Sequence, residues 1–138
     1  MRKRTQAREF AMQILYAMDI THDDCDACLD NFWQGYSDEQ IDANIKEFTN
    51  NIVKGVAVNL KTLDEKISQY ATNWQLSRMA VVDRNILRMG AFELIFCPDI
   101  PPKVSINEAV DLAKRYSGPE AGKFVNAILD KIKQELNR

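Results

Sequence analysis

The sequence is poor in the residues that most site chemistries require. Histidine occurs once, at His22, and cysteine three times. An odd number of thiols gives no disulfide framework and fits a reducing, cytoplasmic setting. Five glycines and four prolines are too few for a turn-rich all-β chain. No stretch approaches the ~18 uncharged apolar residues of a membrane span. The basic start Met1-Arg2-Lys3-Arg4 followed by an apolar run to Met18 looks superficially like a secretory leader. Gln13 interrupts that run, however, and no small-residue cleavage site follows. There is no G-x-x-x-x-G-K-[ST] loop and no G-x-G-x-x-G turn, so no nucleotide cradle, and no catalytic constellation is visible. The expectation is a protein that is not an enzyme and needs no cofactor.

Lysine and arginine are absent between Glu9 and Ile45, where nine acids stand: Glu9, Asp19, Asp23, Asp24, Asp26, Asp30, Asp38, Glu39 and Asp42. The rest of the chain sets 18 cations against the remaining 11 acids, so a net charge of −2 conceals a basic remainder. That polarity makes an anionic partner worth considering.

The apolar residues that are present fall at helical spacing. Ala7, Phe10, Ala11, Ile14, Leu15 and Met18 form one stripe, and Cys25, Cys28, Leu29, Phe32, Trp33 and Tyr36 form a second, with Gly35 marking the end of its helix. Ser37-x-x-Gln40 reads as a capping box that opens the next helix. The stripe from Ile41 to Tyr70 predicts one long helix, bent or broken near Thr49-Asn50-Asn51, where propensity is weak. Trp74 to Ser77 reads as a connection with Ser77 as N-cap, and the next helix runs to Phe96, before Pro98, Pro101 and Pro102. Ser105-x-x-Glu108 reads as a second capping box. Ser117-Gly118-Pro119-Glu120 stops one helix and starts the last. No alternating period appears. The expectation is an all-α chain of about seven helices in a single 138-residue domain.

Cys25-Asp26-Ala27-Cys28, with His22 and Cys97, offers zinc-ligand types. Both Cys25 and Cys28 lie on the apolar stripe, and nearby aspartates would raise their thiol pKa, so packing is the preferred reading over metal or redox chemistry. Asp23-Asp24-x-Asp26 lacks the glycine and closing glutamate of a calcium loop. The basic N-terminus is a better signal. Arg4 and Arg8 stand at i, i+4, with Arg2 and Lys3 at the open end of the helix and Gln13 and Tyr16 further along. Cations with an amide and an aromatic suit single-stranded RNA, although a solvated basic terminus has the same composition. Lys123 and Phe124, early in the last helix, would form a second patch, with Lys114 and Arg115 facing the same end. Phe124 lies on the apolar stripe and has core as its default role.

Four ordered blocks carry a family resemblance. Arg4-x-x-x-Arg8-Glu9-x-Ala11-x-Gln13-x-Leu15-Tyr16 resembles the opening of the NusB family of bacterial transcription antitermination factors. Asp83-Arg84-x-Ile86-Leu87-Arg88-x-Gly90-x-x-Glu93-Leu94 resembles its central helix. Pro101-x-Lys103-Val104-Ser105-Ile106-Asn107-Glu108-Ala109-Val110 and Lys123-Phe124-Val125-Asn126-x-x-Leu129-Asp130-Lys131 resemble its C-terminal signature. The resemblance implies an all-α fold with a small N-terminal and a larger C-terminal subdomain, here roughly 1–75 and 76–138. It implies no catalysis. It implies binding of the single-stranded boxA element of ribosomal RNA leader transcripts, together with the ribosomal protein NusE. That pair acts on an RNA polymerase elongation complex with other Nus factors. RNA contact would fall on Arg4, Arg8, Gln13, Tyr16, Lys123 and Phe124, with Arg2 and Lys3 adding charge, and the two basic patches would form one ledge. Asp83, Arg84 and Glu93 would face NusE. Members of the family differ in self-association, so a homodimer is open. The NusB-like domain that precedes ribosomal RNA cytosine methyltransferases is a competitor, but no glycine-rich methyl-donor loop is present. Two other readings stand beside these: a protein-only adaptor whose acidic segment binds a basic partner, and a zinc-stabilised module built on Cys25, Cys28 and His22.

Overall fold

A computed structural model describes residues 2–37 and 39–138. Asp38, one of the nine acids, and Met1, at the head of the basic start, lie outside the described residues. Among the described residues there are seven α-helices, one 3₁₀ turn and no strand. The helices are α1 (Lys3–Thr21), α2 (Cys25–Gln34), α3 (Ala43–Val58), α4 (Leu60–Tyr70), α5 (Val81–Phe96), α6 (Pro102–Ser117) and α7 (Pro119–Glu135), with the 3₁₀ turn at Leu76–Arg78. The all-α expectation is met. No helix among the described residues is long and apolar enough to cross a membrane. The chain divides into two compact units, 1–58 and 59–138. The sequence reading set its division near residue 75. The structure groups α4 with the C-terminal helices, because its Leu63 and Ile67 are buried and it packs on α5 and α7.

In the first unit α1 packs on α2 and α3. Phe10 is the hub. Its ring meets Phe32, Tyr36 and Trp33 at centroid distances of 5.5, 5.6 and 5.8 Å, in edge-on or tilted arrangements favoured by the ring quadrupole. Polar groups fix the register. The buried Thr49 hydroxyl donates to the carbonyls of Ile45 (2.8 Å) and Ala7 (3.1 Å), and the Trp33 indole N–H donates to Asn50 Oδ1 at 2.8 Å. The break expected near Thr49-Asn50-Asn51 is therefore absent, since tertiary bonds outweigh weak propensity there. The chain breaks instead at Asn59 (φ −105°, ψ 17°).

Three expected caps also fall elsewhere. The Gln40 side chain does accept from Ser37 N–H (2.7 Å), but this closes a turn. Helix α3 starts later, where Asp42 Oδ1 accepts from Asn44 N–H at 2.8 Å. Ser77 lies within the 3₁₀ turn, and α5 begins at Val81. Helix α6 begins at Pro102, so Ser105 is inside it and buried, with its hydroxyl donating to Glu93 Oε1 at 2.8 Å.

The second unit is built on α5, which packs on α4, α6 and α7. Arg88 grips Asp64 on α4 with two parallel bonds, Nε to Oδ1 (2.8 Å) and Nη2 to Oδ2 (3.0 Å), the strong bidentate form. Glu135 on α7 accepts from Tyr70 Oη at 2.8 Å and pairs with Lys66 Nζ at 2.6 Å, both on α4. The Arg138 guanidinium donates to the carbonyls of Leu94 (2.7 Å), Ile100 (3.0 Å) and Pro98 (3.1 Å), covering the C-terminal end of α5. Gly118, at φ 103°, makes the tight stop between α6 and α7.

A Cβ on Gly90 would lie 2.6 Å from Leu129 Cδ1 and 3.5 Å from Ala109 Cβ, both buried. Overpacking costs about 1–3 kcal/mol, whereas glycine to alanine in a helix gains up to ~1. Gly90→Ala is therefore expected to destabilise by about 1 kcal/mol, read in urea unfolding; a stabilised variant contradicts the close packing. Hydrogen bonds from Lys66 and Tyr70 hold the Glu135 carboxyl below its ordinary range. A depressed acid stabilises the fold above its unfolded pKa, and that contribution is lost as pH falls through the folded value. Acid scans of Glu135→Gln should accordingly show a shallower fall in melting temperature below about pH 4.5 than the wild type.

Candidate nucleic-acid interface

The start of α1 places three cations in solvent. Arg2 has extended backbone (φ −66°, ψ 147°) ahead of the helix, and Lys3 and Arg4 lie in its first turn. No acid stands in that turn, so the exposed backbone N–H groups add to the same positive end. Lys3 Nζ pairs with Asp42 at 2.9 Å, and both side chains are substantially exposed. Hydrogen bonding from Lys3, then from Asn44 N–H, holds the Asp42 carboxyl below its ordinary range. The Arg4 guanidinium lies over the ring of Phe48 on α3, 4.6 Å from its centroid.

Arg8 stands one turn on and is only 2% exposed, with its guanidinium 5.2 Å from the same ring. The expectation of an RNA-facing Arg8 is corrected by this burial: it sits in the interior beneath Arg4. Gln13 and Tyr16 are exposed, Tyr16 to 41%. A helix turns about 100° per residue, so Gln13 lies roughly opposite Arg4 on α1, with Tyr16 between the two. The helix thus brings together Lys3, Arg4 and Phe48 on its α3 side, and Gln13 and Tyr16 on its open side.

In the second unit Lys123 is exposed and 3.5 Å from Glu120, while Phe124 is half-buried with its ring centroid 6.4 Å from that of Trp74. Phe124 and Trp74 share a cavity of about 420 Å³ with Asp83 and Arg78. The Asp83 Oδ1 atom is buried and has no hydrogen-bond partner. That is an expensive state for a carboxylate, and it marks a place where an outside donor is wanted. Arg84 turns inward, with Nη1 donating to the Leu76 carbonyl at 3.2 Å, and braces the 3₁₀ turn that carries Arg78. Glu93 is 2% exposed and accepts from Ser105, which corrects the expectation that it faces a partner. Trp74 and Arg78 were not singled out for binding by sequence. Trp74 read as linker, and only its 54% exposure in space reveals it.

Burial raises the thiol pKa of Cys25, with Asp26 and Asp24 adding to it, and burial and Asp23 raise that of Cys28. Neither is poised as a nucleophile. No group of three His, Cys, Asp or Glu side chains gathers in metal-holding geometry among the described residues.

The family model described as the NusB family matches residues 5–134. A transcription antitermination protein NusB of Desulforapulum autotrophicum is 45% identical over 94% of this chain and 90% of its own length. One of Anaeromyxobacter sp. is 44% identical over 94% and 89%. Among solved structures, T. maritima NusB superposes with a TM-score of 0.85 at 38% identity, over 96% of this chain and 91% of that one. A chain from a crystal structure of antitermination factors NusB and NusE in complex with dsRNA gives 0.86 at 29%, over 98% of each. On these grounds the chain belongs to the NusB family.

Proposed function

We propose that this chain is a non-catalytic, cytoplasmic RNA-binding antitermination factor. It binds the boxA element of ribosomal RNA leader transcripts as an unpaired strand, together with NusE, and helps RNA polymerase, with other Nus factors, to read through terminators. The observation that carries the reading is the exposed cation group Arg2, Lys3 and Arg4 at the positive end of α1, in a chain whose relatives are named antitermination proteins. Phosphates engage these three and Lys123. Tyr16 and Phe124 stack bases, and Gln13 meets a base edge, because unpaired bases expose both face and edge. Arg8 acts from beneath, by fixing the ring over which Arg4 lies. Asp83 is the position proposed to receive a basic group of NusE, in the cavity it shares with Trp74 and Phe124, with Arg84 as its support.

About four phosphate contacts to a single strand give a log–log salt slope of roughly −3. In gel shifts with NusE present, Arg4→Ala should flatten that slope by about 0.7. Tyr16→Ala should weaken binding by about five-fold or more, with the slope unchanged, as loss of a stacked base requires. Binding that ignores salt, or that prefers the same RNA in a duplex, contradicts the reading. For the partner, Asp83→Asn should reduce capture of NusE while leaving the binding of RNA alone unchanged. Undiminished NusE capture removes Asp83 from that surface.

A further inference from the structure

Beside Arg4, between the start of α1 and the first half of α3, lies a cavity of about 420 Å³ within the 1–58 unit. Lys3, Arg4, Asn44, Glu47, Phe48 and Asn51 line it. Its size falls in the range of small-ligand sites. Asn44, Phe48 and Asn51 stand at i, i+4 and i+7 and so share one face of α3. Thr49, turned the other way, is buried, and Ile45, also buried, contributes to the lining. The groove therefore presents the Phe48 ring with the Arg4 guanidinium over it, two amides from α3 and the Lys3 ammonium. Asn44, Glu47 and Asn51 are exposed, and the amide groups of Asn44 and Asn51 bond to no other group among the described residues. Asp42 is the carboxylate that pairs with Lys3, and an exposed pair of this kind is weak, so a phosphate can displace it.

We propose that this cavity is a nucleobase pocket that extends the RNA surface from α1 onto α3. One unpaired, amino-bearing base packs against the Arg4–Phe48 stack. The amide of Asn51, seconded by Asn44, offers a donor and an acceptor to its edge, and Glu47 accepts from its exocyclic amino group. The phosphates on either side of that base lie on Lys3 and Arg4. A peptide segment is less suited, because Phe48 and Ile45 are the apolar side chains among the described lining residues, against two cations, two amides and a carboxylate. This inference rests on the RNA reading above.

The test is fluorescence anisotropy of the full chain with labelled single-stranded boxA RNA, with and without NusE, each base being replaced in turn by uracil or, where it is uracil, by cytosine. Asn51→Ala removes an exposed polar side chain from a helix surface and should leave the melting temperature unchanged. It is expected to lose about ten-fold in affinity with the salt slope unaltered, as loss of a bidentate base contact implies. At one RNA position the wild type should discriminate between bases and the variant should not; Asn44→Ala should show the same effect more weakly. Wild-type affinity and base profile in both variants, with Arg4→Ala still impaired, would overturn the pocket and leave the RNA reading standing. A loss seen only in NusE capture would assign the groove to protein and overturn it as well. Failure of the wild type to bind RNA at all sinks both.

Discussion

A guanidinium cannot leave water unless something replaces its hydration, and an uncompensated buried charge costs several kcal/mol. Arg8 is 2% exposed, so α1 must sit where the ring of Phe48 and the surrounding polar groups receive it. The first turn of α1 is thereby held against α3, since sliding by one residue would rotate Arg8 by about 100° away from that ring. Arg4, one turn earlier, inherits its position over the same ring. The Thr49 hydroxyl, bonded to the Ala7 carbonyl, pins the neighbouring register. The exposed cation group is thus presented by a buried one, and its geometry is fixed before any ligand arrives.

The helical content was legible because period decides it, and the stripes of α1, α2 and α7 fall where the sequence places them. Boundaries were less legible, for reasons that differ from element to element. Ser37-x-x-Gln40 has the letters of a capping box and makes one of its two bonds, yet Asp42 supplies the cap for α3. Ser105-x-x-Glu108 has the same letters inside a helix, because Pro102 already provides a preformed first turn. Thr49-Asn50-Asn51 has poor propensity, but two of its three side chains make tertiary bonds that a single sequence cannot display.

The proposed site rests on residue types that a sequence displays, whereas the depth of each is visible only in space. An arginine at i+4 from another arginine reads as a second phosphate ligand, whereas in space it is the support of the first. Glu93 likewise belongs to the block that carries Asp83, yet one points to the interior and the other opens on a cavity. Motif membership reports that a position is constrained and says nothing of whether packing or binding constrains it. Phe48 illustrates the converse. It was read as one residue of an apolar stripe, and its ring does pack on the core, but the opposite flank serves Arg4.

The cations at both patches are held in ways that cost little to undo. Lys3 has Asp42 and Lys123 has Glu120, each in an exposed pair. Such pairs contribute little and weaken further with salt. A phosphate offers each ammonium an acceptor of greater charge and releases condensed counterions as it does so. Exchange of carboxylate for phosphate is therefore favourable without rearrangement of the helices. Two other cations are of a different kind. Arg8 over Phe48 is removed from solvent, and Arg88, partly buried, holds its place on Asp64 through two parallel bonds. The division between exposed pairs that can open and buried cations that cannot is what lets an all-helical scaffold with an acidic average charge bind an anion reversibly and remain folded throughout.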